Sequence, residues 1–254
     1  MKSFKERFLE SWPKNDIERL YKAELNLYET NGQNARLPFH NGIHIRALLR
    51  MVVTLRKLDG LTSVGIVPKA AEIASVFHDL GHAGYPDTWI DSTGRDNIDR
   101  AIDGLRESPI INRYPDSCIE MAKDMIRSTR FPHTPHTYPA NTPADAIRHY
   151  EYIRDADCMW GMIPMFTQHA LWALALENGG NVIHDEAEVD WDKRAEIQIG
   201  FFRAYTPASN IGRSFKNAFV DDAIAGTLQA AEILKKDPPL KKLASALANT
   251  GVGR

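Results

Sequence analysis

The chain has 254 residues, 43% hydrophobic and 25% charged, with a formal net charge of -2 at neutral pH. That is enough chain to bury a large core within one domain spanning 1–254, and it leaves no global field to recruit nucleic acid or an anionic membrane. Cys118 and Cys158 are too few for a disulfide framework or a thiolate metal site. The charged start Met1-Lys2-Ser3-Phe4-Lys5-Glu6-Arg7 lacks a signal-peptide core and no stretch reaches the ~20 apolar residues of a membrane span, so a cytoplasmic location is expected.

The periodicity is helical from the first residues. Phe4, Phe8, Leu9 and Trp12 form an apolar stripe ended by Pro13. Asn15 can cap a second helix carrying Ile17, Leu20, Tyr21, Leu25 and Tyr28, which stops near Asn31-Gly32; residues 1–38 are read as N-terminal helices of the same domain. Leu48, Leu49, Val52, Val53 and Leu55 continue a helix to about Gly60, and Ala70 to Leu80 reads as a buried helix ending around Gly81 and Gly84. Residues 85–95 read as loop, Asn97–Leu105 and Ile119–Ile126 as helices, and 131–136 as a second loop. Thr142 is the expected N-cap of a helix with Pro143 at its first position, running to Asp157. Trp160–Leu176 is apolar on most faces. Asp190–Tyr205, a helix from about Asp221 carrying Ile224–Leu234, and a C-terminal helix and tail over 236–254 complete the set. Period-two alternation is nearly absent, and there is no GxGxxG, P-loop, CxxC or internal repeat. The fold class expected is all-α: a compact multi-helix domain with a metal-binding cleft.

Two histidine clusters carry the chemistry: His40-Asn41-Gly42-Ile43-His44 and His78-Asp79-Leu80-Gly81-His82-Ala83-Gly84. Residues four apart on a helix share a face, so each pair can point into one cavity. If Asn41 is the N-cap, His40 lies just outside the first turn. Asp79 adjoins His78, so both can ligate only near a helix end, and Gly81 and Gly84 supply such a place. A lone histidine in an apolar helix is usually a hydrogen-bonded core residue. Two spaced pairs, one containing His-Asp, together with the remote Asp155-Ala156-Asp157, are hard to explain as packing. Imidazole and carboxylate ligands suit Zn, Mn, Fe or Mg, with carboxylates favouring Mg or Mn at a second position.

These motifs resemble the HD superfamily of metal phosphohydrolases. Within it, HNxxH at 40–44 and HDxxHxG at 78–84 are similar to the signatures of class I 3′,5′-cyclic-nucleotide phosphodiesterases, as are Met121–Thr129 and Gln198-Ile199-Gly200-Phe201-Phe202 followed by Pro207. The five segments agree in order over residues 39 to 207. The resemblance implies an HD/PDEase-like fold and two divalent ions, a tight site and a second Mg/Mn-type site. His44, His78, Asp79 and Asp157 would be ligands, with Asp155 the competing choice for the last. Asp79 would bridge the two ions. His82 would orient a water, and His40 would be the general acid for attack by a metal-bridged hydroxide. Gln198 would bond the purine edge, and Phe201 would stack on the base.

The chain also departs from the pattern. Phe39, which would line the substrate pocket, stands where tyrosine is common. Arg130 replaces an acid, Trp160 an asparagine, and Tyr85-Pro86-Asp87 lacks the usual asparagines. Asp99 would stand for a glutamate that holds metal-bound water. The implied reaction converts cAMP and/or cGMP to 5′-nucleoside monophosphates. The amide of Gln198, able to donate and accept, does not choose between the bases. The runner-up is another HD-type hydrolase acting on dNTPs, nucleoside monophosphates or cyclic dinucleotides. A di-iron oxygenase and a non-catalytic nucleotide-binding module stand behind it. The expected partner is a small nucleotide; a homodimer is left open.

Overall fold

The computed structural model describes residues 2–13, 16–30, 34–84, 94–130, 138, 142–177 and 189–236. The expected cap Asn15, the stop at Asn31-Gly32, residues 85–93 of the first expected loop, the 131–136 loop, and residues 237–254 of the tail lie outside these. Among the described residues there are eleven α-helices and no strand. They are α1 (Phe4–Ser11), α2 (Asp16–Leu20), α3 (Lys22–Thr30), α4 (Gly42–Leu58), α5 (Ile66–Phe77), α6 (Asn97–Glu107), α7 (Asp116–Ser128), α8 (Ala144–Met159), α9 (Pro164–Glu177), α10 (Trp191–Ala204) and α11 (Asn210–Lys236). The all-α expectation holds. No helix among these residues is long and apolar enough to cross a membrane.

The centre is α5. Its Ala70, Ala71 and Ala74 are fully buried, and such small side chains let α4, α7 and α8 pack closely around it. Pro68 sits in its first turn, where no helical N–H is lost, so the helix starts at Ile66 rather than Ala70. It ends at Phe77 rather than Leu80. A buried charge network ties α5 to α4 and to the residue between α2 and α3: Arg56 bonds Glu72 at 2.8 Å and Tyr21 bonds it at 2.9 Å, with Lys69 also at 2.8 Å. Arg56 is 4% exposed, so replacing Glu72 by a neutral residue would leave the guanidinium a buried charge without its carboxylate, costing about 3–5 kcal/mol. A satellite core of Leu171, Ala175, Trp191, Ala195, Ala230, Ala231 and Leu234 joins α9, α10 and α11.

Several boundaries differ from the sequence reading. The expected helix over Ile17–Tyr28 breaks at Tyr21 into α2 and α3, and Leu9 and Leu20 are exposed. Pro143 is itself the N-cap of α8, because its φ of -59° with ψ of 148° is extended. That helix runs past Asp157 to Met159. The last described helix begins at Asn210, well before Asp221: Phe215 and Phe219 are fully buried, stack on each other and meet the ring of Phe8 of α1 at a tilt and edge-on.

Candidate metal centre

The first motif is placed by capping. The side-chain oxygen of Asn41 accepts the N–H of Ile43 at 2.8 Å, as an N-cap does. His40 therefore stands outside α4 and His44 inside its first turn. The second motif straddles a helix end. His78 is the C-cap of α5, Asp79 lies just beyond, and Gly81 turns the chain with φ +77°, a backbone that strains other residues. Asn34 locks the two motifs together. Its amide donates to the carbonyls of His40 and Asp79, both at 2.9 Å, and accepts the N–H of Gly81 at 2.7 Å. Each such bond contributes about 1 kcal/mol, and more is lost if a buried partner is left unmet.

Three elements then bring four donors together: His44 from α4, His78 and Asp79 from the end of α5, and Asp157 from α8. His44 Nε2 lies 3.3 Å from His78 Nε2 and 3.1 Å from Asp79 Oδ2. His78 Nε2 lies 3.0 Å from Asp79 Oδ2, and Asp157 Oδ1 is 3.3 and 3.5 Å from the two imidazole nitrogens. A tetrahedral ligand shell with bonds of about 2.0–2.1 Å has edges of roughly 3.3 Å. The donor set thus fits a divalent cation. Two further observations agree. His78 Nδ1 meets the carbonyl of Ser75 at 3.1 Å, and donating its proton there leaves Nε2 with a lone pair aimed at the cluster. Asp79 Oδ2 is buried against the imidazole nitrogens of His44 and His78.

Asp155 is not part of this group. Two residues apart on a helix, side chains point about 200° apart, and Asp155 faces α11 instead. It accepts from Tyr205 Oη (3.0 Å), Ala208 N (2.7 Å), Ser209 N (2.9 Å) and Ser209 Oγ (2.6 Å). Gly212 packs so closely there that a Cβ would overlap its carboxylate. Asp157 is the acid that joins the histidines.

Beside the cluster is a second group, His40, His82 and Glu177. The rings of His40 and His82 stack with centroids 3.5 Å apart and planes 11° from parallel. Parallel rings do not aim their in-plane lone pairs at a common point, so this group suits proton handling better than ligation. Glu177 Oε2 accepts the N–H groups of Phe39 (2.8 Å) and His40 (3.1 Å), and its Oε1 bonds His40 Nδ1. Burial raises the Glu177 pKa, but the His40 charge outweighs it and holds the carboxyl below its ordinary value. His82 is fixed by Gly84 N–H on Nδ1 (2.9 Å) and by the Asn97 amide at Nε2 (2.7 Å).

Comparison with known protein families, curated proteins and solved structures finds no match to this chain.

A cavity of about 520 Å³ opens onto both groups and is lined by Phe39, His40, His78, Asp79, His82, Asp157, Gln198 and Phe201 among others. Gln198 is buried rather than solvated. Its Nε2 donates to Thr227 Oγ1 at 3.5 Å, while its Oε1 is buried with no partner. Phe201 is half-buried and stacks on Tyr205. Phe39 stacks on His44 at 5.1 Å, and Trp160 closes the same wall 5.1 Å from that ring. Asp99 does not reach the cavity: it is exposed and accepts the N–H of Asp96 in the capping box of α6. Arg130 pairs with Asp96 at the rim.

Sequence reasoning missed Glu177, Asn34 and Asn97. Glu177 had one local signal. It ends a mostly apolar helix, where the macrodipole disfavours an anion.

The cluster also sets a pH response. Without metal, burial pulls the His78 pKa down, but Asp79 and Asp157 push it up to about 10, above the unfolded value of 6.5. Burial raises Asp79 and Asp157, yet His78 among other partners holds both below 3.8. The histidine contribution is complete below pH 6.5 and lost as pH rises toward 10; the carboxylate contribution is present above about pH 4 and lost on acidification. Metal binding needs the imidazoles deprotonated, so it strengthens over the range where the metal-free form weakens. Chelator-treated protein is therefore expected to lose several degrees of Tm between pH 6.5 and 9, while the increment given by Mn²⁺ widens. Thermal scans with and without chelator check this; parallel curves would contradict it.

Proposed function

We propose that the chain is a metal-dependent phosphohydrolase of the HD type that hydrolyses 3′,5′-cyclic nucleotides to 5′-nucleoside monophosphates. The observation that carries this reading is the meeting, in one cavity, of the four-donor cluster with the His40–Glu177 pair. Divalent ions held by His44, His78, Asp79 and Asp157 would supply a hydroxide nucleophile and offset the phosphate charge. In hydrolysis a water oxygen bonds to phosphorus, the bond from phosphorus to O3′ breaks, and O3′ must receive a proton. His40 would give it. Glu177 on Nδ1 favours the imidazolium and leaves Nε2 as the nitrogen that passes the proton. His82 holds the ring of His40 flat against its own. The base would lie between Phe201 and Gln198, whose unpartnered Oε1 seeks a donor.

Full-length protein with Mn²⁺ or Mg²⁺ is expected to convert cAMP or cGMP to the 5′-monophosphate. The reading is overturned if metal-loaded protein leaves both intact. Hydrolysis of dNTPs, nucleoside monophosphates or cyclic dinucleotides in the same panel would then select another HD-type hydrolase, and oxygen uptake with two bound irons an oxygenase.

A further inference from the structure

His40 is held by side chains rather than by a helix. The first backbone bond of α4 runs from the Ile45 N–H to the Asn41 carbonyl, so the peptide groups of His40 stand outside the helical ladder. Its N–H goes to Glu177 Oε2 at 3.1 Å, and its carbonyl accepts Asn34 Nδ2 at 2.9 Å. Both partners are buried, Asn34 completely, and neither belongs to a histidine motif.

The Asn34 amide has one orientation. Nδ2 faces the carbonyls of His40 and Asp79, and Oδ1 faces the N–H of Gly81. Turned over, it would set an oxygen against two oxygens and a donor against a donor. Two hydrogen bonds of 2.9 Å from one planar NH₂ hold the accepting oxygens roughly 5 Å apart. The backbone of His40 is thereby tied to the backbone of an acid of the four-donor cluster. The two ends are not equally secured. The Asp79 carbonyl also accepts the His82 N–H at 3.0 Å, and Arg100 Nε holds the following turn through the Gly81 carbonyl at 2.8 Å. Losing Asn34 would therefore free His40 more than Asp79.

We infer that Asn34 is a positioning residue that sets the reach of His40 toward a phosphoester held at the four-donor cluster. The inference rests on the hydrolase reading for the proton His40 delivers, and deepens it by naming what fixes the donor. A misplacement of ~1 Å can cost about 10²-fold in rate. A misplaced acid costs that only where the leaving oxygen needs its proton. O3′ of a cyclic nucleotide leaves as an alkoxide unless it is protonated, whereas p-nitrophenolate is a weak base and leaves without a proton.

The test uses the full chain at saturating Mn²⁺, below the Tm of every variant, with a cyclic nucleotide and bis(p-nitrophenyl) phosphate as substrates. Asn34→Ala is expected to lose about 10–100-fold in kcat on the cyclic nucleotide, with KM within about threefold of wild type, and under about threefold on the activated diester. Asn34→Asp keeps the volume and the acceptor for Gly81 but cannot serve both carbonyls, and should follow it. Glu72→Gln, which weakens the buried network of α5, controls for stability and should leave the ratio of the two rates at the wild-type value. A second readout needs no turnover. In metal-free protein the downfield proton NMR resonance of the His40–Glu177 hydrogen bond, assigned by its loss in His40→Ala, should shift or broaden in both Asn34 variants. Equal losses on the two diesters, a ratio moved as far by Glu72→Gln, or a resonance unmoved in both Asn34 variants overturns the inference. If the wild type hydrolyses neither diester, the hydrolase reading fails, and a displaced resonance in the Asn34 variants still upholds Asn34 as the residue that places His40.

Discussion

Asp79→Asn is expected to abolish metal retention and to lower cyclic-nucleotide hydrolysis by at least about 10³-fold. Asp79 Oδ2 lies within 3.1 Å of both His44 Nε2 and His78 Nε2. Its backbone carbonyl is held separately by Asn34, so the loop should survive the change. Asparagine keeps the shape and removes the charge. Its amide then sets either a neutral oxygen or an N–H donor against two imidazole lone pairs. Loss of an outer partner of a ligand typically lowers affinity or activity 10–100-fold, and loss of a charged ligand must exceed that. Stability gives a second readout. Metal at a hundredfold over Kd stabilises the folded chain by about 2.7 kcal/mol, or ~5–10 °C for a chain of this size. In Asp79→Asn that increment should vanish. A variant with wild-type metal content and rate would remove the cluster from any role in catalysis.

The four-donor cluster was legible because spacing and helix chemistry constrain it, though not for the reason that spacing first suggests. Neither histidine pair lies within one helix: His40 precedes α4, and His82 lies beyond the end of α5. The fold re-sorts them across motifs, His44 with His78 and His40 with His82. What the sequence did encode locally was the N-cap at Asn41 and the glycine that bends the chain after Asp79. The partners were illegible because they arrive from far away. Glu177 is 137 residues from His40, and Asn34 reaches 45 and 47 residues to Asp79 and Gly81. No periodicity reports such distances. The choice of Asp157 over Asp155 needed the fold as well, since both share one helix and only rotation about its axis separates them. Asp99 failed for a local reason: it closes a capping box with Asp96, and a carboxylate held there cannot also face the cavity.

Separating the proton donor from the cations calls for a pair of variants. His40→Ala is expected to reduce turnover by about 10²–10⁴-fold, the usual range for general acid catalysis, while metal content stays at the wild-type level because His40 is outside the four-donor cluster. Glu177→Gln should act differently. The carboxylate pairs with the imidazole, and that attraction favours the protonated ring. Removing the charge lowers the ring's affinity for its proton, so the protonated fraction is lost at lower pH. The alkaline limb of the kcat profile should move down by about one pH unit or more, while the rate on the acidic side of that limb falls much less. The amide of glutamine can still accept the N–H groups of Phe39 and His40, now made by Oε2, so the backbone before α4 keeps a partner. A merely structural Glu177 would lower the rate equally at all pH values and lower Tm with it. A shifted limb at unchanged Tm separates the two, and an unshifted limb would take the proton relay away from His40.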